Sequence, residues 1–101
     1  IIVLDAAQYT RISKKPEQIG KVPVRVCIDH HASPIDDWTC ALIDPDATSN
    51  AELTFNVFDA IQTLDKSLSE LYLLGILGDT GGLKYIDAKE SQVFSLVQRL
   101  V

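Results

Sequence analysis

Both histidines of this 101-residue chain stand side by side, as His30 and His31, directly after Asp29. They close the apolar, largely β-branched run Val24-Arg25-Val26-Cys27-Ile28, so one strand delivers an acid and two imidazoles at its end. Two more acids end apolar elements: Asp5 follows Ile1-Ile2-Val3-Leu4, and Asp79 sits in Gly78-Asp79-Thr80-Gly81-Gly82. Mixed carboxylate and imidazole donors suit Mn²⁺, Zn²⁺, Fe²⁺ or Co²⁺ better than Ca²⁺, which prefers an all-oxygen shell. A carboxylate can also bridge two such ions, an arrangement that activates water against phosphoesters. Each residue has a plainer role as well. Asp5 and Asp79 can make turns, and a lone histidine is more often hydrogen-bonded than ligating. What lifts the metal-and-phosphate reading is that three acids and the only two histidines all terminate apolar elements.

The elements that must position these groups read as α/β. Residues 1–4 form a short apolar run, expected for a strand buried on both faces. Residues 6–12 fit a short helix or a loop. Residues 14–20 read as a brief polar helix, with Pro16 in its first turn and Gly20 at its stop. Residues 22–28 form the second strand, Pro23 being tolerable only near its start. The stretch between the strands is long enough for a crossover, which predicts a parallel pair. In open parallel sheets ligands gather at the carboxyl ends of the strands, the edge that Asp5 and Asp29-His30-His31 would share. Residues 39–43 make a third, weaker strand, ended by Asp44-Pro45-Asp46. The second half reads as helices started by three capping boxes, at Ser49, Ser67 and Asp87. Leu53, Val57, Ile61 and Leu64 recur at helical spacing after the first. The run 71–77 after the second predicts a helix apolar all round and therefore central, and Val93, Val97 and Leu100 share a face after the third.

Composition narrows the classes. The chain is 47% hydrophobic with four prolines and five glycines, which marks a single folded domain. No apolar run reaches the roughly 20 residues of a membrane-spanning helix, and the start at Ile1 reads as a chain cut just before or inside a strand. A formal net charge of −5 argues against broad binding to duplex nucleic acid, but divalent cations would reverse the local sign for an anionic substrate. Cys27 and Cys40 have no metal-type spacing and read as buried thiols, so a cytoplasmic setting is the default.

Ile28-Asp29-His30-His31, followed much later by Gly75-Ile76-Leu77-Gly78-Asp79-Thr80-Gly81-Gly82 and preceded by Val3-Leu4-Asp5, resembles the DHH phosphoesterase family. The turn and helix start from Asp44 to Glu52 is most like the branch containing nanoRNases with 3′-phosphoadenosine-5′-phosphate phosphatase activity. The resemblance covers essentially the whole chain as a partial catalytic domain, residues 1–101, with a Rossmann-like, three-layer architecture. It implies a pair of divalent cations, Mn²⁺ foremost with Mg²⁺ or Co²⁺ possible, that activates water against a phosphodiester, phosphomonoester or phosphoanhydride. Carried over by position, Asp5 matches the acid that bridges the ions, His30 a metal ligand, and Asp79 the ligand of the fourth motif. His31 matches the residue that contacts the scissile phosphate and can donate a proton or a charge-assisted hydrogen bond to it. Asp29 matches a group that orients an imidazole or the strand end. Gly81 and Gly82 would let backbone approach the substrate closely. For Ser49 a helix cap is the stronger reading.

The family's first motif, a histidine followed by an Asp-x-Asp pair, belongs upstream of Asp5 and is absent, as is the smaller substrate-binding domain. Asp5, His30 and Asp79 are ligands the family places largely around one ion, so the isolated chain is expected to keep at most one weak metal site and little turnover. The implied substrate is a short single-stranded oligonucleotide or a small phosphorylated nucleotide, and the full-length protein could be a homodimer. Two alternatives stand beside this reading: a non-catalytic binding or regulatory module, and an inorganic pyrophosphatase of the same superfamily.

Overall fold

The computed structural model describes residues 1–101, apart from the side chain of Lys89. Its elements are β1 (Ile2–Leu4), α1 (Tyr9–Ile12), α2 (Pro16–Gly20), β2 (Val26–Asp29), β3 (Cys40–Ile43), α3 (Asn50–Phe58), α4 (Lys66–Asp79), a 3₁₀ turn (Ala88–Glu90) and α5 (Gln92–Leu100). This is the expected α/β class. The chain divides into two compact units, Ile1–Pro45 and Asp46–Val101.

In the first unit the three strands pair in the order β1-β2-β3, both pairs parallel. Leu4 lies beside Ile28, and Ile28 beside Leu42. The ladder continues past the strand ends: Asp5 N–H donates to Ile28 C=O at 2.9 Å, and Asp44 N–H to Asp29 C=O at 3.1 Å. Asp5, Asp29 and Asp44 therefore leave the sheet at one carboxyl edge, as the crossover argument requires. Strand β2 starts at Val26, four residues later than its apolar pattern predicts. Pro23 has no N–H to give, and Arg25 N–H donates to the Thr39 side chain at 3.0 Å instead of entering the ladder. Cys40, read from sequence as buried, is exposed, because β3 is an edge strand whose first three residues are all exposed.

The second unit packs α3, α4 and α5 around Phe55, Ile76, Val93, Leu96 and Leu100. Ser49 caps α3 as expected, its Oγ accepting from Glu52 N–H at 3.0 Å. The buried Glu52 carboxylate answers one residue earlier than an ordinary capping box, accepting from Thr48 N–H and Thr48 Oγ, both at 2.7 Å. Helix α3 stops at Phe58, so Ile61 and Leu64 do not extend it, and Ile61 is 80% exposed. The next cap is Asp65, which accepts from Leu68 N–H at 2.8 Å, and the box at Ser67 goes unused. A cap two residues earlier gives α4 an additional half-turn.

Helix α4 is not apolar-buried all round. Ile76 is its one fully buried residue among those described, while Leu71 and Leu74 are 65% and 68% exposed. One face packs on the core through Tyr72, Leu73 and Ile76, and its leucine-rich composition continues onto the other face. On the packed side, a Cβ placed on Gly75 would lie 2.7 Å from the Ala51 Cβ. Gly75→Ala therefore forces α3 and α4 apart. A loss of about 1–3 kcal/mol is expected even though alanine is the better helix former, read as a lower urea midpoint. At the far end of α4, Gly81 has φ +60° and Gly82 N–H donates to Leu77 C=O at 2.8 Å, a Schellman stop. Helix α5 presents Val93, Leu96 and Leu100 to the core, and Glu90 caps the turn before it through Asp87 N–H at 2.9 Å.

Candidate functional site

The carboxyl edge of the first unit's sheet brings Asp5, Asp29, His30 and His31 together. Asp5 takes up a left-handed backbone at φ +67° immediately after β1. That conformation is uncommon for a residue with a side chain, though aspartate tolerates it better than most, and strain of this kind concentrates at working sites. It turns the carboxylate toward the imidazoles: Asp5 Oδ1 lies 3.4 Å from His30 Nε2 and 3.7 Å from His31 Nδ1. One donor atom each from Asp5, His30 and His31 falls within 4.8 Å of the others, a grouping able to hold one metal ion.

Asp29 lies beneath them. Its side chain is fully buried, and its Oδ1 meets His31 Nδ1 at 2.6 Å and accepts His31 backbone N–H at 3.2 Å. Burial pushes this carboxyl up, but the ring and backbone hydrogen bonds from His31, its charge and a smaller pull from the Ala7 backbone outweigh that, holding it below the ordinary value of 3.8. Its Oδ2 is buried with no hydrogen-bond partner, an unmet acceptor that a purely structural turn would avoid. The site's chemistry thus fits a divalent cation: a carboxylate and an imidazole facing each other, over a buried anion whose acceptor capacity is half used.

Sequence reasoning missed the scaffold that holds these loops. Asp36, in the loop after the histidines, accepts Tyr9 N–H at the start of α1, while Asp36 N–H and Trp38 Nε1 both donate to Ala7 C=O, at 3.1 and 2.8 Å. Tyr9 packs edge-on to Trp38 with ring centroids 5.0 Å apart, and Arg25 Nε reaches both Tyr9 Oη and Asp37 C=O at 3.0 Å. The segment after Asp5 is latched to the segment after His31. The cluster Asp36-Asp37-Trp38 was the available signal, but it names no partners by itself.

Asp79, Gly81 and Gly82 belong to the second unit, with Asp79 the exposed last residue of α4. The glycine pair is accounted for there by the helix stop. Thr80 supports it: its buried hydroxyl donates to Ile76 C=O at 2.6 Å and accepts from Leu83 N–H at 3.0 Å.

The two thiols differ sharply. Cys27 is buried, and burial together with the charge of Asp29 pushes it up to about 11. At pH 8 a disulfide reagent should therefore label Cys40 alone, with Cys27 reacting only on unfolding. Because the folded value is raised, this contribution to stability is full below pH 9.0 and is lost as the pH rises toward 11. A urea midpoint that does not fall across that window contradicts it.

No family model matches the chain, and no curated protein does. Among solved structures it is similar to an exopolyphosphatase-related protein from Bacteroides fragilis, with a TM-score of 0.82 and 22% identity. The match covers 98% of this chain and 31% of that one, so the chain spans about a third of its neighbour's length. That likeness shows the fold. No helix among the described residues is long and apolar enough to cross a membrane.

Proposed function

We propose that this chain is part of a metal-dependent phosphohydrolase of the DHH type, with His30 and Asp5 holding a divalent cation and His31 serving the phosphate. The observation that carries the reading is the grouping of Asp5, His30 and His31 at the carboxyl edge of a parallel sheet, with Asp29 buried beneath. The fold likeness to an exopolyphosphatase-related protein supports a phosphohydrolase parent. When bound, the cation, Mn²⁺ foremost, supplies Lewis-acid activation and a positive charge toward an anionic substrate. The chain's own residues do the rest. Asp5 and His30 fix where the positive charge sits. His31, partly exposed, points a ring nitrogen at a phosphate oxygen or leaving group.

The substrate we propose is a short single-stranded oligonucleotide or a small phosphorylated nucleotide, met at its phosphate. A phosphoanhydride substrate is the second reading, favoured by the neighbour's description as exopolyphosphatase-related. That likeness does not single out the nanoRNase branch. The test is a panel of dinucleotide, 3′,5′-bisphosphate nucleotide, polyphosphate and pyrophosphate, assayed with Mn²⁺ in the longest natural chain that carries this segment. Release of mononucleotide or phosphate from the nucleotides supports the first reading, and turnover of polyphosphate alone the second. No hydrolysis of any of them contradicts the function.

A further inference from the structure

Asp29 is the only charged residue of the first unit, among those described, that is fully buried. The hydrogen bonds its carboxylate makes at Oδ1 both come from one residue, the ring Nδ1 and backbone N–H of His31 at 2.6 and 3.2 Å. Two bonds from one residue to one oxygen fix the ring's rotation as well as its distance. His31 Nδ1 is also 3.7 Å from Asp5 Oδ1, so two carboxylates compete for it. The shorter contact wins by more than an ångström. Oδ2 has no hydrogen-bond partner, and a neutral asparagine would make the same turn at lower desolvation cost.

We propose that Asp29 is a positioning residue that fixes His31 as its Nδ1–H tautomer, which withholds Nδ1 from a cation held by Asp5 and His30 and leaves Nε2 as the nitrogen offered to substrate. The role of Nε2 rests on the phosphohydrolase reading; the tautomer does not. The grouping of three donors is thereby split in two: Asp5 with His30 for the cation, and Asp29 with His31 as a carboxylate–imidazole dyad. The proton sits on Nδ1, where a free histidine in water prefers Nε2, so the assignment has a definite opposite. The hydrogen-bond partner of one ring nitrogen decides what the other can do.

Two histidines in the whole chain make the test direct. In the chain labelled with ¹⁵N-histidine, long-range ¹H–¹⁵N correlation yields two ring patterns, assigned with a His30→Gln variant. The expected result is a pyrrole-type Nδ1 and a pyridine-type Nε2 for His31. On adding Zn²⁺, as a diamagnetic probe, a His30 nitrogen shifts and the His31 tautomer persists. In Asp29→Asn, where a side-chain amide can donate to Nδ1, His31 should move to the Nε2–H form. A wild-type His31 that is Nε2–H or averages between tautomers overturns the proposal, as does Zn²⁺ coordination at its Nδ1. So does an unchanged tautomer in Asp29→Asn. The wild-type spectrum decides even if that variant does not fold. A correct tautomer in a protein without hydrolytic activity defeats the functional reading and leaves this one standing.

Discussion

His30→Ala should lower hydrolysis of the true substrate by at least about a hundredfold, the kinetic equivalent of roughly 2.7 kcal/mol, in the natural chain that carries this domain. The reason is local. His30 follows β2 directly, with its side chain 16% exposed and its Nε2 3.4 Å from Asp5 Oδ1. Alanine removes the imidazole that faces the Asp5 carboxylate, so the cation loses a nitrogen donor. The ladder bonds at Asp5, Ile28, Asp29 and Asp44 are backbone bonds and survive the change. Activity should therefore fall while the thermal midpoint barely moves. Near-normal rates with Mn²⁺ in this variant would overturn the metal assignment.

Phe55→Ala should do the reverse, costing the second unit about 3–5 kcal/mol. Phe55 is fully buried in the cluster with Ile76, Val93, Leu96 and Leu100. Its ring meets Tyr72 edge-on at 5.2 Å, and the Arg99 guanidinium lies over it at 5.0 Å, held in place by Asp59 at 2.8 and 3.0 Å. Truncation opens a cavity and removes the surface on which two other residues are placed. A single domain carries roughly 5–15 kcal/mol in all, so this variant should be partly unfolded at 37 °C. Far-ultraviolet circular dichroism against urea measures the loss. A change below about 1 kcal/mol would show that Phe55 is not the centre of that core.

The part of this fold that could be read from sequence is the part set by neighbours along the chain. Ile2–Leu4 is bounded by Asp5, Pro16 sits at a helix start, and Ser49 and Glu52 cap α3, each a signal within about five residues. Where the reading went astray, a distant group had decided. Thr39 takes the Arg25 N–H and delays β2. At α4 the competitor was close by: Asp65 caps the helix through Leu68 N–H, and the box at Ser67 goes unused. The leucines of 71–77 carry no mark of which face packs, so Leu71 and Leu74 read as core.

The candidate site follows the same division. That Asp5 and Asp29-His30-His31 share an edge follows from two parallel strands, which the spacing foretold. That Asp29 pairs with His31 and not with His30 depends on the backbone leaving the strand, and the left-handed turn at Asp5 is signalled only by aspartate's tolerance of that conformation. The latch of Tyr9, Arg25, Asp36 and Trp38 joins loops 27 or more residues apart for most of its bonds, beyond any local pattern.

The most direct test of the central claim is calorimetric titration of the 101-residue chain with Mn²⁺, run beside its His30→Ala variant. The account predicts one weakly bound ion per chain, lost in the variant. Two tightly bound ions, or binding that His30→Ala leaves unchanged, would contradict it.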